Sequence, residues 1–196
     1  DIDDNVNSAV KFAYLEHKHG IQSSYYFLHT AAYYGVTLLN YFKRNDNVIY
    51  YMKKIQDFGH EVGLHNDLVT LQVVYNIDSR DFLRDELSWI RSKGVIIYGT
   101  TSHGSMYCDI YNYVNSYFWK EVKSGEGKYF NYVSVPKDGL DIEIEKDSLS
   151  TYNLDYEGDS YKWDYFFADS DRQKGKRWNM GMINIDTITS DKKVII

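Results

Sequence analysis

The chain has a single cysteine and a single proline among its 196 residues. A lone thiol, Cys108, excludes an internal disulfide framework and cannot build a thiolate zinc site, so any metal must be held by histidine and carboxylate. Positive charge is also scarce. With 22 Lys and Arg against 28 Asp and Glu the formal net charge is −6, which gives no sign of the clustered basic footprint that nucleic acid or an anionic membrane requires. No apolar run approaches the roughly 18 residues that suggest a membrane span. The opening segment DIDDNVNS lacks the basic and then apolar order of a signal peptide. That leaves the compartment open while favouring the cytoplasm.

What is present suits one compact domain, since 43% hydrophobic and 17% aromatic residues are enough to bury a substantial core. Twenty tyrosines, with many Asn, Lys and Ile, read first as the composition of an AT-rich gene and second as a sugar-facing surface.

The same grammar runs three times along the first half. Asn5 to His19 carries Val6, Ala9, Val10, Ala13 and Tyr14 at helical spacing, with Asn5 as a cap and Gly20 as the left-handed stop. Ile21 to Leu28 (IQSSYYFL) is then dense in strand formers. Val48, Met52, Ile55 and Phe58 line a second helix ending at Gly59, ahead of the short strand HEVGL. Asp78 and Ser79 cap a third, carrying Phe82, Leu83, Leu87 and Ile90 and ending at Gly94 before an apolar strand, Val95 to Tyr98. Helix and strand in alternation predict an α/β fold of parallel strands with right-handed crossovers, a barrel or a doubly wound sheet. Further on, the pattern predicts a helix over Ile110 to Val122, a loop at SGEGK, a strand at YFNYVSV before Pro136 and an alternating segment LDIEIE. Strands at Trp163 to Ala168 and Lys193 to Ile196 complete it. The chain begins on acidic residues and stops on VII, so residues 1–196 read as one domain trimmed at both ends.

In parallel-strand folds the reactive groups cluster beyond the C-terminal strand ends, and each unit delivers polar residues there. Asp1 and Asp3 precede the first helix, His65 closes HEVGL, His103 follows VIIYGTTS, and Asp169 follows WDYFFA. If DID is extended, Asp1 and Asp3 point the same way, so that one carboxylate can bind metal while the other takes a proton. Imidazole and carboxylate are donors that zinc accepts, and three protein ligands with an open position describe a catalytic site. His60 and His65 flank one strand and stand too far apart for one ion; His65 is the better ligand and His60 the structural histidine. His17, His19 and His29 read as surface or packing residues.

Four segments carry a resemblance: DID at Asp1 to Asp3, GHEVGLHND at Gly59 to Asp67, SHG at Ser102 to Gly104, and ADSD with Trp178 beyond it. Together they resemble the polysaccharide deacetylases, the NodB-like or carbohydrate esterase family 4 group, in a divergent branch with an HDVD- or HDID-type first motif. The resemblance implies a distorted (β/α) barrel of about seven strands and a divalent metal, zinc foremost with cobalt or nickel as alternatives, held by one Asp and two His. By that resemblance Asp1 is the catalytic base, Asp3 the metal carboxylate and His65 the first metal histidine. The family's second histidine falls four residues later, where this chain has Val69. His103 is the substitute ligand, with Asp67 behind it as a weaker ligand candidate or a substrate contact. The arginine-bearing third motif is replaced by TTSHGS, and no histidine after His103 matches the late Leu-His motif.

The implied activity is metal-dependent removal of N-acetyl groups from a poly- or oligosaccharide. Asp169 would orient a histidine or bind sugar hydroxyls, and Trp178 would stack on a sugar face. The alternatives are a non-catalytic carbohydrate-binding or scaffolding member of the same fold, and another metal hydrolase such as an O-acetyl esterase or phosphoesterase.

Overall fold

A computed structural model describes residues 1–111, 113–122 and 144–158, with two short strands at 165–166 and 194–195. They fall into two compact units, Asp1–Ser160 and Tyr161–Ile196.

The first unit begins with helix α1 (Val6–Lys18), whose N-terminus is capped by Asn5: its Oδ1 accepts from the Ser8 N–H at 3.1 Å. Strand β1 (Ser24–Leu28), hairpin strands β2 (Gly35–Leu38) and β3 (Tyr41–Arg44), helix α2 (Asn47–Asp57) and strand β4 (Glu61–Asn66) follow. Then come helices α3 (Leu68–Tyr75) and α4 (Ser79–Ser92), strand β5 (Gly99–Ser102), the short helix α5 (Met106–Ile110), and strand β6 (Tyr156–Glu157). Asp78 caps α4 by accepting from the Arg80 and Asp81 amides. The three helices expected from periodicity are thus present. Each ends at the glycine the pattern points to, Gly20, Gly59 and Gly94, all at positive φ, where a Cβ would be penalised.

Strands β1, β4, β5 and β6 form one parallel sheet in that order. The chain is therefore α/β with a four-stranded parallel sheet. Ile2 extends the sheet beyond β1 through a parallel bridge to Phe27. One face of the sheet presents Phe27, Val62 and Leu64, all buried with Ala13, Met52, Ile55, Leu83, Leu87 and Ile90 of the helices. Among the described residues no helix is long and apolar enough to cross a membrane.

Two elements differ from the sequence pattern. Val95 to Tyr98 forms no ladder; the pairing of β5 with β4 starts at Thr100. Side chains take the backbone groups a ladder would need: Gln56 donates to the Ile96 carbonyl and accepts from the Ile96 amide, and Arg91 donates to the Ile97 carbonyl. Where a helix over Ile110 to Val122 is expected, α5 ends at Ile110 and the described residues beyond it hold a 3-10 turn, Asn115–Phe118. Val114 is extended and the buried Asn115 side chain accepts from the Val69 amide at 2.9 Å, so the chain breaks where Asn115 reaches across to α3.

The pattern assigned no element to the β2–β3 hairpin or to α3. The hairpin is fastened by Glu86 of α4, which is fully buried and accepts from Tyr34 Oη (2.7 Å) and Arg44 Nε (2.6 Å). Burial pushes the Glu86 carboxyl up, and the Tyr34 and Arg44 donors oppose that shift.

In the second unit β7 (Tyr165–Phe166) and β8 (Val194–Ile195) pair in parallel, within the strands expected at Trp163 to Ala168 and Lys193 to Ile196. The SGEGK loop, the YFNYVSV strand, most of LDIEIE, Asp169 and Trp178 lie outside the described residues.

Candidate metal centre

The centre grows out of the second face of the parallel sheet. Side chains alternate along a strand and register-paired residues share a face, so Tyr26, Gly63, His65, Gly99, Thr101 and Tyr156 look the same way. Gly63 and Gly99 leave room there, because a Cβ on either would collide with the rings of Tyr26 and Tyr156. Tyr156 Oη donates to Glu61 Oε1 at 2.7 Å and bonds Tyr26 Oη, filling the end of this face nearer the strand starts with a tyrosine and carboxylate cluster. The other end, where the strands finish, is left to His65.

Ile2 is buried and shares the core face with Phe27, which sends its neighbours Asp1 and Asp3 to the His65 face. The segment is held from both sides. The Ile2 amide donates to the Tyr26 carbonyl (2.8 Å), and the Ile2 carbonyl accepts from the Leu28 amide (3.3 Å) and from Tyr33 Oη (2.6 Å). His103 lies just past β5, where its amide donates to the Asn66 carbonyl at 2.7 Å.

These placements bring Asp3, His65 and His103 together as one group of potential ligands. His65 Nε2 is 3.0 Å from His103 Nδ1 and 3.5 Å from Asp3 Oδ1, and His103 Nδ1 is 3.7 Å from Asp3 Oδ1. Donors about 2.1 Å from a shared tetrahedral ion stand roughly 3.4 Å apart, so the three atoms fit one divalent cation of zinc's size. The His65 side chain is 4% exposed, that of His103 24% and that of Asp3 57%, so the group is walled on the His65 side and open to solvent on the Asp3 side. Burial, reinforced by the neighbouring His103, holds the His65 imidazole well below its ordinary pKa. It is therefore neutral at pH 7, the form that ligates. Asp1 completes the group from the other side: its Oδ1 lies 3.7 Å from His65 Nδ1 and accepts from Thr101 Oγ1 at 3.1 Å.

Three supporting residues carry no signal in the sequence pattern. Tyr33 anchors Ile2. Thr101 bonds His65 Nδ1 at 2.8 Å. Asn115, fully buried, donates to the His103 carbonyl at 2.6 Å and to Asp67 Oδ1 at 3.2 Å, so that it holds the His103 backbone from beneath. A lone Asn or Thr without periodicity is indistinguishable from any other polar residue until the fold is known.

Asp67 is itself buried. Its Oδ1 accepts from Thr70 Oγ1 at 2.7 Å as well as from Asn115, and its amide donates to His29 Nε2 at 3.0 Å. Val69 is fully buried in the core on α3 and offers no donor to the cluster. His29 is a packing residue against Phe82, with burial holding its pKa down to about 3. His60 sits at the opposite end of β4. It accepts from the Ser23 amide at Nδ1 (3.1 Å), so its Nε2–H donates to the Ala13 carbonyl (2.7 Å). Both of its ring nitrogens are spent.

Comparison with known proteins finds no match of significance: no family model, no curated protein and no solved structure aligns with this chain.

Proposed function

We propose that this chain is a metal-dependent hydrolase that removes N-acetyl groups from a poly- or oligosaccharide, on a distorted (β/α) barrel of the NodB-like kind. The observation that carries the reading is the meeting of three metal donors with a second carboxylate, Asp1, on one face at the C-terminal ends of the strands. Asp3, His65 and His103 would hold the ion, zinc foremost and cobalt or nickel as alternatives. A divalent cation there supplies polarisation of the acyl carbonyl and acidification of a water molecule. Asp1, exposed and already tethered through Thr101, accepts the proton as water attacks the carbonyl. The amide C–N bond then breaks as the proton held by Asp1 passes to the departing nitrogen, giving acetate and an amine. Asp67, buried and bonded to Thr70 and Asn115, supports the floor of the site in this reading.

A second reading, a carbohydrate-binding member without catalysis, is favoured by one observation: Val69 is a core residue at the position of the family's second histidine. Acetate release separates the two. The hydrolase reading expects acetate from N-acetylated oligosaccharide in the presence of zinc or cobalt and none after chelation. Metal uptake without acetate from N- or O-acetylated saccharides would leave the binding reading, and acetate from O-acetylated saccharide alone would make the protein an esterase.

A further inference from the structure

We propose that Thr101 is the positioning residue of this centre, a hydroxyl that fixes the tautomer of His65 and the direction of Asp1 through a single relay. The proposal rests on the metal reading only in what the relay is for; the relay itself is a matter of proton counting. Thr101 Oγ1 stands 2.8 Å from His65 Nδ1 and 3.1 Å from Asp1 Oδ1. A hydroxyl has one hydrogen, and an ionised carboxylate can only accept. The Thr101 hydrogen therefore goes to Asp1, and the His65 bond must run the other way, with Nδ1–H as donor and the Thr101 oxygen as acceptor. Neutral imidazole carries one N–H, so His65 Nε2 is left with its lone pair facing Asp3 Oδ1 and His103 Nδ1. The same hydroxyl thus presents a ligand atom to the cluster and holds Asp1 beside it.

A second observation explains why the residue is threonine. A Cβ built on Gly158, just beyond β6, would come 3.1 Å from Thr101 Cγ2 and 3.8 Å from its Cβ. The Thr101 methyl therefore sits over Gly158, in a space that only the missing side chain keeps open. Branching at Cβ couples the methyl and the hydroxyl to one torsion, so seating the methyl on Gly158 aims the hydroxyl between His65 and Asp1. Serine in place of Thr101 would keep the relay and lose the seat; valine would keep the seat and lose the relay.

The test compares wild type with Thr101→Val, Thr101→Ser and Gly158→Ala by two readouts. The first is the tautomer of His65 in the metal-free protein, read from nitrogen-15 chemical shifts of the imidazole at neutral pH. The second is zinc affinity by competition with a chromogenic chelator. The expected result is a His65 proton on Nδ1 in wild type and in Thr101→Ser, displaced in Thr101→Val. Zinc affinity should fall by about 10- to 100-fold in Thr101→Val, the usual cost of losing an outer-shell partner, recover most of that in Thr101→Ser, and fall partway in Gly158→Ala. A wild-type His65 proton on Nε2 overturns the proposal whether or not any variant folds. So does a Thr101→Val protein with unchanged tautomer and unchanged zinc affinity. Should wild type bind no zinc at all, the metal reading falls, and the tautomer comparison still decides the role of Thr101.

Discussion

His60 and His65 stand at the two ends of the same strand, both almost fully buried, and the contrast between them defines the site. At the start of β4 the His60 ring lies between two backbone groups, the Ser23 amide and the Ala13 carbonyl, and ties α1 to the sheet. At the end of β4 the His65 ring has one nitrogen on a side-chain hydroxyl and the other 3.0 Å from a second histidine and 3.5 Å from a carboxylate. Equal burial therefore hides opposite roles. A histidine whose nitrogens both serve the backbone is held as architecture, and one whose nitrogens face a hydroxyl, a second imidazole and a carboxylate is set among ligating groups.

The contrast can be broken by substitution. His65→Ala should weaken zinc binding by at least about 100-fold, beyond the 10- to 100-fold cost of losing an outer-shell group, while leaving the fold cooperative in a urea melt. His60→Ala should do the reverse. Two buried hydrogen bonds are lost and a backbone donor and acceptor are stranded, which costs about 2 kcal/mol in the same melt, with zinc affinity held at the wild-type value. If the two variants share one phenotype, the distinction drawn from their hydrogen bonds is mistaken. Asn115→Ala sharpens the comparison further, because Asn115 reaches the cluster only through the His103 carbonyl. An affinity loss of about 10-fold is expected in chelator competition, smaller than for His65→Ala itself.

The smallest effect concerns pH. His29 is fully buried, and burial holds its pKa at about 3 against an ordinary 6.5. Below pH 6.5 the unfolded chain takes a proton that the native protein refuses until about pH 3, so stability is intact above 6.5 and is lost as pH falls through that window. Urea melts at pH 6 and pH 5 should differ by about 1 kcal/mol from this group. His29→Leu should flatten the dependence; an unchanged slope would show that His29 is not its source.

Much of the first half was legible in the sequence because its signals are local. Helical periodicity closed by a glycine located α1, α2 and α4, and Asn5 and Asp78 marked the starts of α1 and α4. Recurrence of polar residues after successive strands picked out Asp1, Asp3, His65 and His103, which the structure brings together. What escaped depends on partners distant in sequence. LVTLQVVY is mostly apolar and carries no helical stripe, so α3 declares itself only through the burial of Leu68, Val69, Thr70 and Leu71. The hairpin is fixed by Glu86, some 40 residues beyond Arg44. The ladder of β5 starts late because Gln56 and Arg91 occupy the backbone of residues 96 and 97. Thr101 and Asn115 gain their meaning from Asp1 and His103, which no spacing rule connects to them.

The central claim is that Asp3, His65 and His103 share one divalent ion, and cobalt titration of the metal-free protein tests it most directly. The account predicts one cobalt per chain with intense visible absorption of a low-coordinate N,O site, abolished in a protein carrying Asp3→Asn, His65→Ala and His103→Ala together. A featureless titration of the wild type, or an undiminished cobalt spectrum in the triple variant, would contradict it.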